Sequence, residues 1–156
     1  MPIFYVGESQ KQGNGIFARR DISKGEKILT FEGKLITFDE AVAIPQDTEG
    51  HAVQIGDNLY VDLEGSCRFV NHSCNPNSGL NEAVDLFAIR GIRVDEEITF
   101  DYSTCMDEDF WTMECNCGIT RCRGVIRDFR LLPLETRTRY IQMRIVPEWL
   151  LRNLPS

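Results

Sequence analysis

A chain of 156 residues is long enough for one domain with a real core. Its 42% hydrophobic and 26% charged content is that of an ordinary globule, and no apolar run is long enough to cross a bilayer. A net charge of −7 argues against a general nucleic-acid or membrane binder, and it is unevenly spread. Residues 119–156 carry eight Arg, no Lys and three acids, a net +5 that leaves −12 on the rest. An acidic body suits a basic protein or peptide partner.

Met1 to Glu8 has neither a basic n-region nor an apolar h-region. The expectation is a soluble intracellular protein with reduced cysteines, its compartment open. Ile3 to Val6 reads as a short strand, and Gly13-Asn14-Gly15 as a tight loop before Ile16-Phe17-Ala18. Lys27 to Phe31 is a strand that Glu32-Gly33 breaks and Leu35-Ile36 resumes. Thr37, with Glu40 three residues on, has the capping-box spacing for a helical turn to Ala43, which Pro45 ends. Ala52–Ile55 and Leu59–Val61 form a hairpin about Gly56-Asp57-Asn58. Ala83 to Ile89 and Glu97 to Tyr102 are further strands. Helical patterns start at Pro133 and Pro147, the first with Leu134, Tyr140, Ile141 and Ile145 as its apolar face. The reading is a mostly β (α+β) body carrying short C-terminal helices.

Four stretches carry chemistry. Gly13-Asn14-Gly15-Ile16-Phe17-Ala18 fits a loose GxGxxA, but no helical period follows, so a dinucleotide fold is rejected. The loop still lets backbone approach a ligand. Arg68-Phe69-Val70-Asn71-His72-Ser73-Cys74-Asn75-Pro76-Asn77 runs from an apolar segment into a polar knot and a Pro-Asn turn. His72 and Cys74 are too close in sequence for a thiol-hydrolase pair, whose members come from distant segments. Cys115-Asn116-Cys117, followed by Cys122, supplies three thiolates. A structural zinc site needs four, and Cys74 in the knot is the best fourth ligand, leaving Cys67 and Cys105 as strand-edge or loop thiols. In Glu97 to Tyr102 read as a strand, Ile98, Phe100 and Tyr102 share one face, which taken alone reads as core.

Taken in order, these stretches resemble the SET-domain protein-lysine methyltransferases of a small stand-alone type. The resemblance runs through Gly13–Ala18, Asp21–Glu26, Phe31–Gly33, Arg68–Asn77 and Glu96–Tyr102. It ends in a post-SET CxCxxxxC followed by Arg123-Gly124, and covers residues 3–126. It implies a β-clip of small curved sheets around a threaded pseudoknot. It divides the chain into a SET domain (1–104), a post-SET zinc-binding segment (105–126) and a C-terminal helical extension packed on the body (127–156). S-adenosylmethionine would be held by Asn14, Gly15, Ile16, Phe17, His51, Arg68, Asn71 and His72. The target lysine would enter an aromatic channel of Phe100 and Tyr102, with Tyr102 catalytic. Zn²⁺ would sit on Cys74, Cys115, Cys117 and Cys122. His51 stands where many relatives carry a tyrosine, and no general base is evident.

The implied activity is lysine N-methylation of a basic, histone-like or other, protein tail, with Phe100 permitting di- or trimethylation. The alternative is a catalytically inactive SET-like peptide-binding module. Such a module would be expected to have lost Tyr102 or the Asn71-His72 pair.

Overall fold

The computed structural model describes residues 1–45 and 52–155, so His51 lies outside the described residues. In chain order the elements are β1 (Phe4–Glu8), β2 (Asn14–Ala18), β3 (Lys27–Thr30), β4 (Gly33–Ile36), helix α1 (Phe38–Val42), β5 (Ala52–Gly56) and β6 (Leu59–Leu63). Then come β7 (Asn71–His72), β8 (Ser78–Leu80), β9 (Asp85–Ala88), β10 (Glu97–Phe100), β11 (Met113–Glu114), β12 (Val125–Ile126), α2 (Leu134–Gln142) and α3 (Glu148–Arg152). Short 3₁₀ turns occupy Gly65–Phe69, Tyr102–Cys105 and Phe129–Leu131.

The strands form small separate sheets ordered β1-β2-β10-β7, β3-β9-β8, β4-β6-β5 and β11-β12. Local chemistry explains the hairpins. β1 and β2 pair antiparallel from Phe4↔Ala18 to Glu8↔Asn14 across the Gly13 loop, and Gly13 sits at φ +49°. β5 and β6 close over Asp57-Asn58, with Asn58 at φ 49°. Thr37 and Glu40 make the reciprocal capping box that starts α1.

The joins between distant segments position the site. β10 runs antiparallel to β2 on one side (Ile98↔Ile16) and parallel to β7 on the other (Thr99↔Asn71, Phe100↔His72). The polar knot is thereby held edge to edge with the strand that leads into Tyr102. Alternation along β10 drives Ile98 and Phe100 into a core shared with Ile16, Ala18, Ile22, Phe31, Leu63, Val70 and Leu86.

Some expectations need correction. β10 ends at Phe100, and Tyr102 opens a 3₁₀ turn capped by Asp101, the second amide, Ser103 N, donating to Asp101 Oδ1 at 3.0 Å. The two rings meet nonetheless, centroids 5.0 Å apart, through the turn rather than strand alternation. Cys67 and Cys105 are buried core thiols in 3₁₀ turns, not edge thiols. On α2, Tyr140 is fully buried but Leu134 (70% exposed) and Ile141 (40%) face solvent.

The tail buries Phe129, Leu132, Tyr140, Ile145, Val146, Trp149 and Leu150 as one cluster against Phe87 and Ile89 of the body. Ile145 lies so close over Gly79 of β8 that any Cβ there would overlap its side chain. Glycine is what lets the tail dock. No helix of the described residues is long and apolar enough to cross a membrane.

Candidate active site

The knot is built around His72 and Asp101, both buried. His72 Nδ1 accepts from the Tyr102 amide at 3.0 Å and lies 3.5 Å from Asp101 Oδ1, while Nε2 lies 3.4 Å from Cys74 Sγ. Accepting through Nδ1 is what a neutral imidazole does. Burial pulls the ring's pKa down to about 4, more than the facing Asp101 charge can restore. Asp101 is held in turn by a bidentate pair from Arg123 (2.8 and 2.9 Å) and by the Tyr140 hydroxyl (2.8 Å). One carboxylate thus ties the knot, the cysteine-rich segment and the tail together.

Asn71 does related work on the other face. Its Nδ2 donates to the carbonyls of Gln12 (3.1 Å) and Asn14 (3.0 Å) and to Glu97 Oε1 (2.8 Å). Gly15 makes room for this, since a Cβ there would overlap the Glu97 carboxylate. Ser9 Oγ also donates to Glu97, at 2.9 Å.

Two cavities meet at Tyr102. A small one, about 30 Å³, is lined by Lys11, Gln12, Asn71, His72, Tyr102 and Glu114 among others. A larger one, about 320 Å³, is walled by Tyr60, Phe100, Tyr102 and Trp111, with Gln12, Arg68 and Glu108 as polar groups. The Tyr102 hydroxyl donates to the Val70 carbonyl at 2.8 Å, and burial raises its pKa, so it stays protonated. The aromatic wall is tightly braced. Phe31 meets Phe100 edge-on at 5.4 Å, and Phe38, Tyr60, Phe110 and Trp111 interlock at 5.1 to 6.1 Å. Burial also pushes the Glu108 carboxyl up to about 7, with the Asp128 and Asp107 charges adding.

Of the residues singled out in the sequence, Arg68, Asn71, His72, Phe100 and Tyr102 line one or both cavities. Asn14, Gly15, Ile16 and Phe17 stand back from these linings. Ile16 is wholly inside the core and paired on both edges, and Phe17 stacks on Tyr5 at 5.6 Å. The same loop reaches the cavities through Lys11 and Gln12 instead. Sequence reasoning also passed over Asp101, Tyr60, Glu108, Trp111 and Arg123. The run Asp107-Glu108-Asp109-Phe110-Trp111 was the visible signal, since acids next to two aromatics are unusual for a plain solvated turn.

Cys74, Cys115, Cys117 and Cys122 bring their sulfurs within 4.8 Å of one another, a set able to hold a metal ion. Cys74 and Cys115 are 3.6 Å apart. The amides of Arg123 and Gly124 donate to Cys74 Sγ and Cys122 Sγ at 3.4 Å each, as donors to thiolates would. Burial opposes ionisation of Cys117, yet backbone amides and neighbouring thiols bring it down to about 7.

The family model for the SET domain matches residues 13–103. The chain belongs to the SET-domain family. It is 34% identical over 141 residues to Histone-lysine N-methyltransferase ash1 of Drosophila melanogaster, across 79% of this chain and 6% of that protein. It is 34% identical over 137 residues to Histone-lysine N-methyltransferase trithorax of Drosophila virilis (76% and 4%), and 31% identical over 134 residues to human Histone-lysine N-methyltransferase 2B (76% and 5%). The chain therefore spans a small fraction of these relatives. The fold is that of the methyltransferase domain of human Histone-lysine N-methyltransferase SETMAR, with TM-score 0.66 and 22% identity over 80% of this chain and 58% of that one.

Proposed function

We propose that the chain is an S-adenosylmethionine-dependent protein-lysine N-methyltransferase acting on a basic, histone-like protein tail. The observation that carries this is the position of Tyr102, which borders both cavities. A small polar cavity and a larger aromatic one meeting at a single phenol suit a donor on one side and an alkyl-ammonium on the other. The residues fit the donor. Lys11 offers a cation for its carboxylate, Glu114 an anion for its ammonium, and the Asn71-His72 edge the polar floor, while Arg68 lines the larger cavity. When bound, the donor supplies a methyl group already activated by a sulfonium.

The chain's share of the work is alignment and exclusion of water. With its proton given to Val70, the Tyr102 oxygen keeps lone pairs to accept C–H···O contacts from a polarised methyl. Phe100, Tyr60 and Trp111 present faces that favour a cationic centre. Asn71 fixes the Gln12–Asn14 loop, and His72 fixes the start of the Tyr102 turn.

The four-cysteine set suits Zn²⁺, whose tetrahedral thiolate bonds of about 2.3 Å place sulfurs roughly 3.8 Å apart. Closing on it, residues 113–126 become one wall of the small cavity.

The test is incubation with labelled donor and a panel of basic proteins, histone tails included, beside Tyr102→Phe. Wild type should label lysine. The variant should fold normally and lose about 100-fold or more in turnover, the range seen when one oriented polar contact in the transition state is removed. Near-normal turnover in Tyr102→Phe would remove Tyr102 from the reaction.

A further inference from the structure

The larger cavity holds one feature that alignment alone does not use. Glu108 lines it among the aromatic walls, and the Glu108 Oε2 atom is buried without a hydrogen-bond partner. A buried carboxylate oxygen with no donor is costly and calls for an explanation. The acids around it have partners. Asp128 accepts from the Glu108 and Asp109 amides at 3.4 and 2.8 Å. Arg130 lies 3.9, 3.1 and 3.7 Å from Asp107, Asp109 and Asp128. Among the described residues Glu108 has no such cation, and the Tyr60 hydroxyl hydrogen-bonds its carboxylate while Oε2 stays unpartnered.

We propose that Glu108 receives the substrate's lysine ammonium in this cavity and accepts its proton, which makes it the general base of the reaction. This rests on the methyltransferase reading given above. One N–H bond of the ammonium breaks, the proton passes to the Glu108 carboxylate, and the nitrogen keeps the electron pair with which it attacks the methyl carbon. The C–S bond breaks with its pair left on sulfur. Glu108 then returns its proton to solvent.

A free lysine has a pKa of about 10.4, so at pH 7.5 only about one molecule in a thousand is a neutral amine. A base poised near neutrality removes that handicap. The groups facing Glu108 are Tyr60 from β6, Asp107 from its own turn, and Asp128 from the segment before residues 129–131, the last tempered by Arg130. Burial, with the Asp128 and Asp107 charges adding and the Tyr60 hydrogen bond working the other way, holds the Glu108 carboxyl near 7, where it accepts a proton at working pH and releases it again. Because its pKa is raised, Glu108 is a competent base only as pH climbs through about 7.

Two measurements on Glu108→Gln and Glu108→Asp decide the matter. The first is methyl transfer from pH 6.5 to 10 at saturating donor. Glu108→Gln should be about 100-fold slower at pH 7.5, the gap closing to under threefold near pH 10, where lysine ionises by itself. Glu108→Asp should be intermediate. The second needs no turnover: titration with n-butylammonium, followed by Trp111 fluorescence. Glu108→Gln should weaken binding tenfold or more at pH 8, with n-pentanol binding unchanged. Transfer within threefold of wild type at pH 7.5, or a deficit constant across pH, overturns Glu108 as base while the functional reading stands. Equal n-butylammonium affinity in wild type and Glu108→Gln overturns it as the ammonium site. If wild type labels no lysine but the amine titration depends on Glu108, the functional reading fails and the ammonium site survives.

Discussion

At the scale of single residues, Phe100 shows how one side chain serves two ends. It is 2% exposed, packed edge-on to Phe31, and also lines the larger cavity beside Tyr102. Lacking a hydroxyl, it cannot hold a water next to the lysine nitrogen, so a methylated amine is free to turn and present its lone pair again. Wild type should therefore proceed to di- or trimethyl-lysine. Phe100→Tyr should shift products toward monomethyl-lysine, since displacing a well-held water loses its hydrogen bonds, and about 1.4 kcal/mol of net loss is already a tenfold rate bias. Mass spectrometry of product peptides at long times checks this, and a wild type that stalls at monomethyl-lysine refutes it. Phe100 and Tyr102 were legible because their spacing is local and their residue types unusual. Asp101 was not. Its partners Arg123 and Tyr140 lie 22 and 39 residues away, and nothing in the sequence brings them together. Ile16 shows the opposite: the glycines around it drew attention to a residue whose side chain lies in the core.

At the scale of elements, the segment from β11 to β12 has few backbone pairs. Its two strands are two residues each, paired at Met113↔Ile126 and Glu114↔Val125. Such a short pair is marginal alone; the Arg123–Asp101 pair and the buried cluster of Cys74, Met106, Cys115, Cys117 and Ile126 hold it, and a metal on the cysteine set would add to them. Protein purified without chelator should carry about one zinc per chain. Cys115→Ser should lose the metal and at least about tenfold in activity. Cys67→Ser should keep both, because Cys67 Sγ donates to the Glu64 carbonyl at 2.8 Å in a different part of the core. Elemental analysis alongside turnover decides it, and metal-free protein with intact activity would sink the proposal. The cysteine cluster, the capping box of α1 and the β5–β6 hairpin were readable because each is fixed by residues a few positions apart. β7 and β8, of two and three residues, are too short to show any period, and they exist through their pairing with β10 and β9.

At the scale of the whole molecule, the tail is tied to the knot. Tyr140, fully buried on α2, donates to Asp101 Oδ2, the same oxygen that takes one arm of Arg123. Tyr140→Phe keeps the ring but removes a hydrogen bond to a buried charge, worth about 1.5–3 kcal/mol. For a chain of this size that should lower Tm by roughly 4–9 °C. Gly79→Ala tests the same joint sterically, by pushing against Ile145. Differential scanning calorimetry should show both losses. An unchanged Tm in both would mean that the tail does not support the body. The tail's helices were visible from their prolines, but which face docks was not. Leu134 and Ile141 fitted a helical stripe, yet burial followed Tyr140, whose hydroxyl reaches Asp101, and Ile145 beyond the helix, which packs over Gly79.

The placement of β10 also bears on how the chain assembles. Its neighbours are β2, some eighty residues earlier, and the two-residue β7. The Asn71 amide joins the carbonyls of the Gln12–Asn14 loop to Glu97 of β10. A nascent chain ending before residue 97 would therefore carry β2 with a bare edge and a knot with no strand beside it. Closing such distant pairings spends chain entropy before any contact repays it, which slows folding and lengthens exposure of that edge. The feature that joins the two halves of the site thus draws on segments far apart in the chain, so the Gln12–Asn14 loop, the knot and the tyrosine are brought together by one strand.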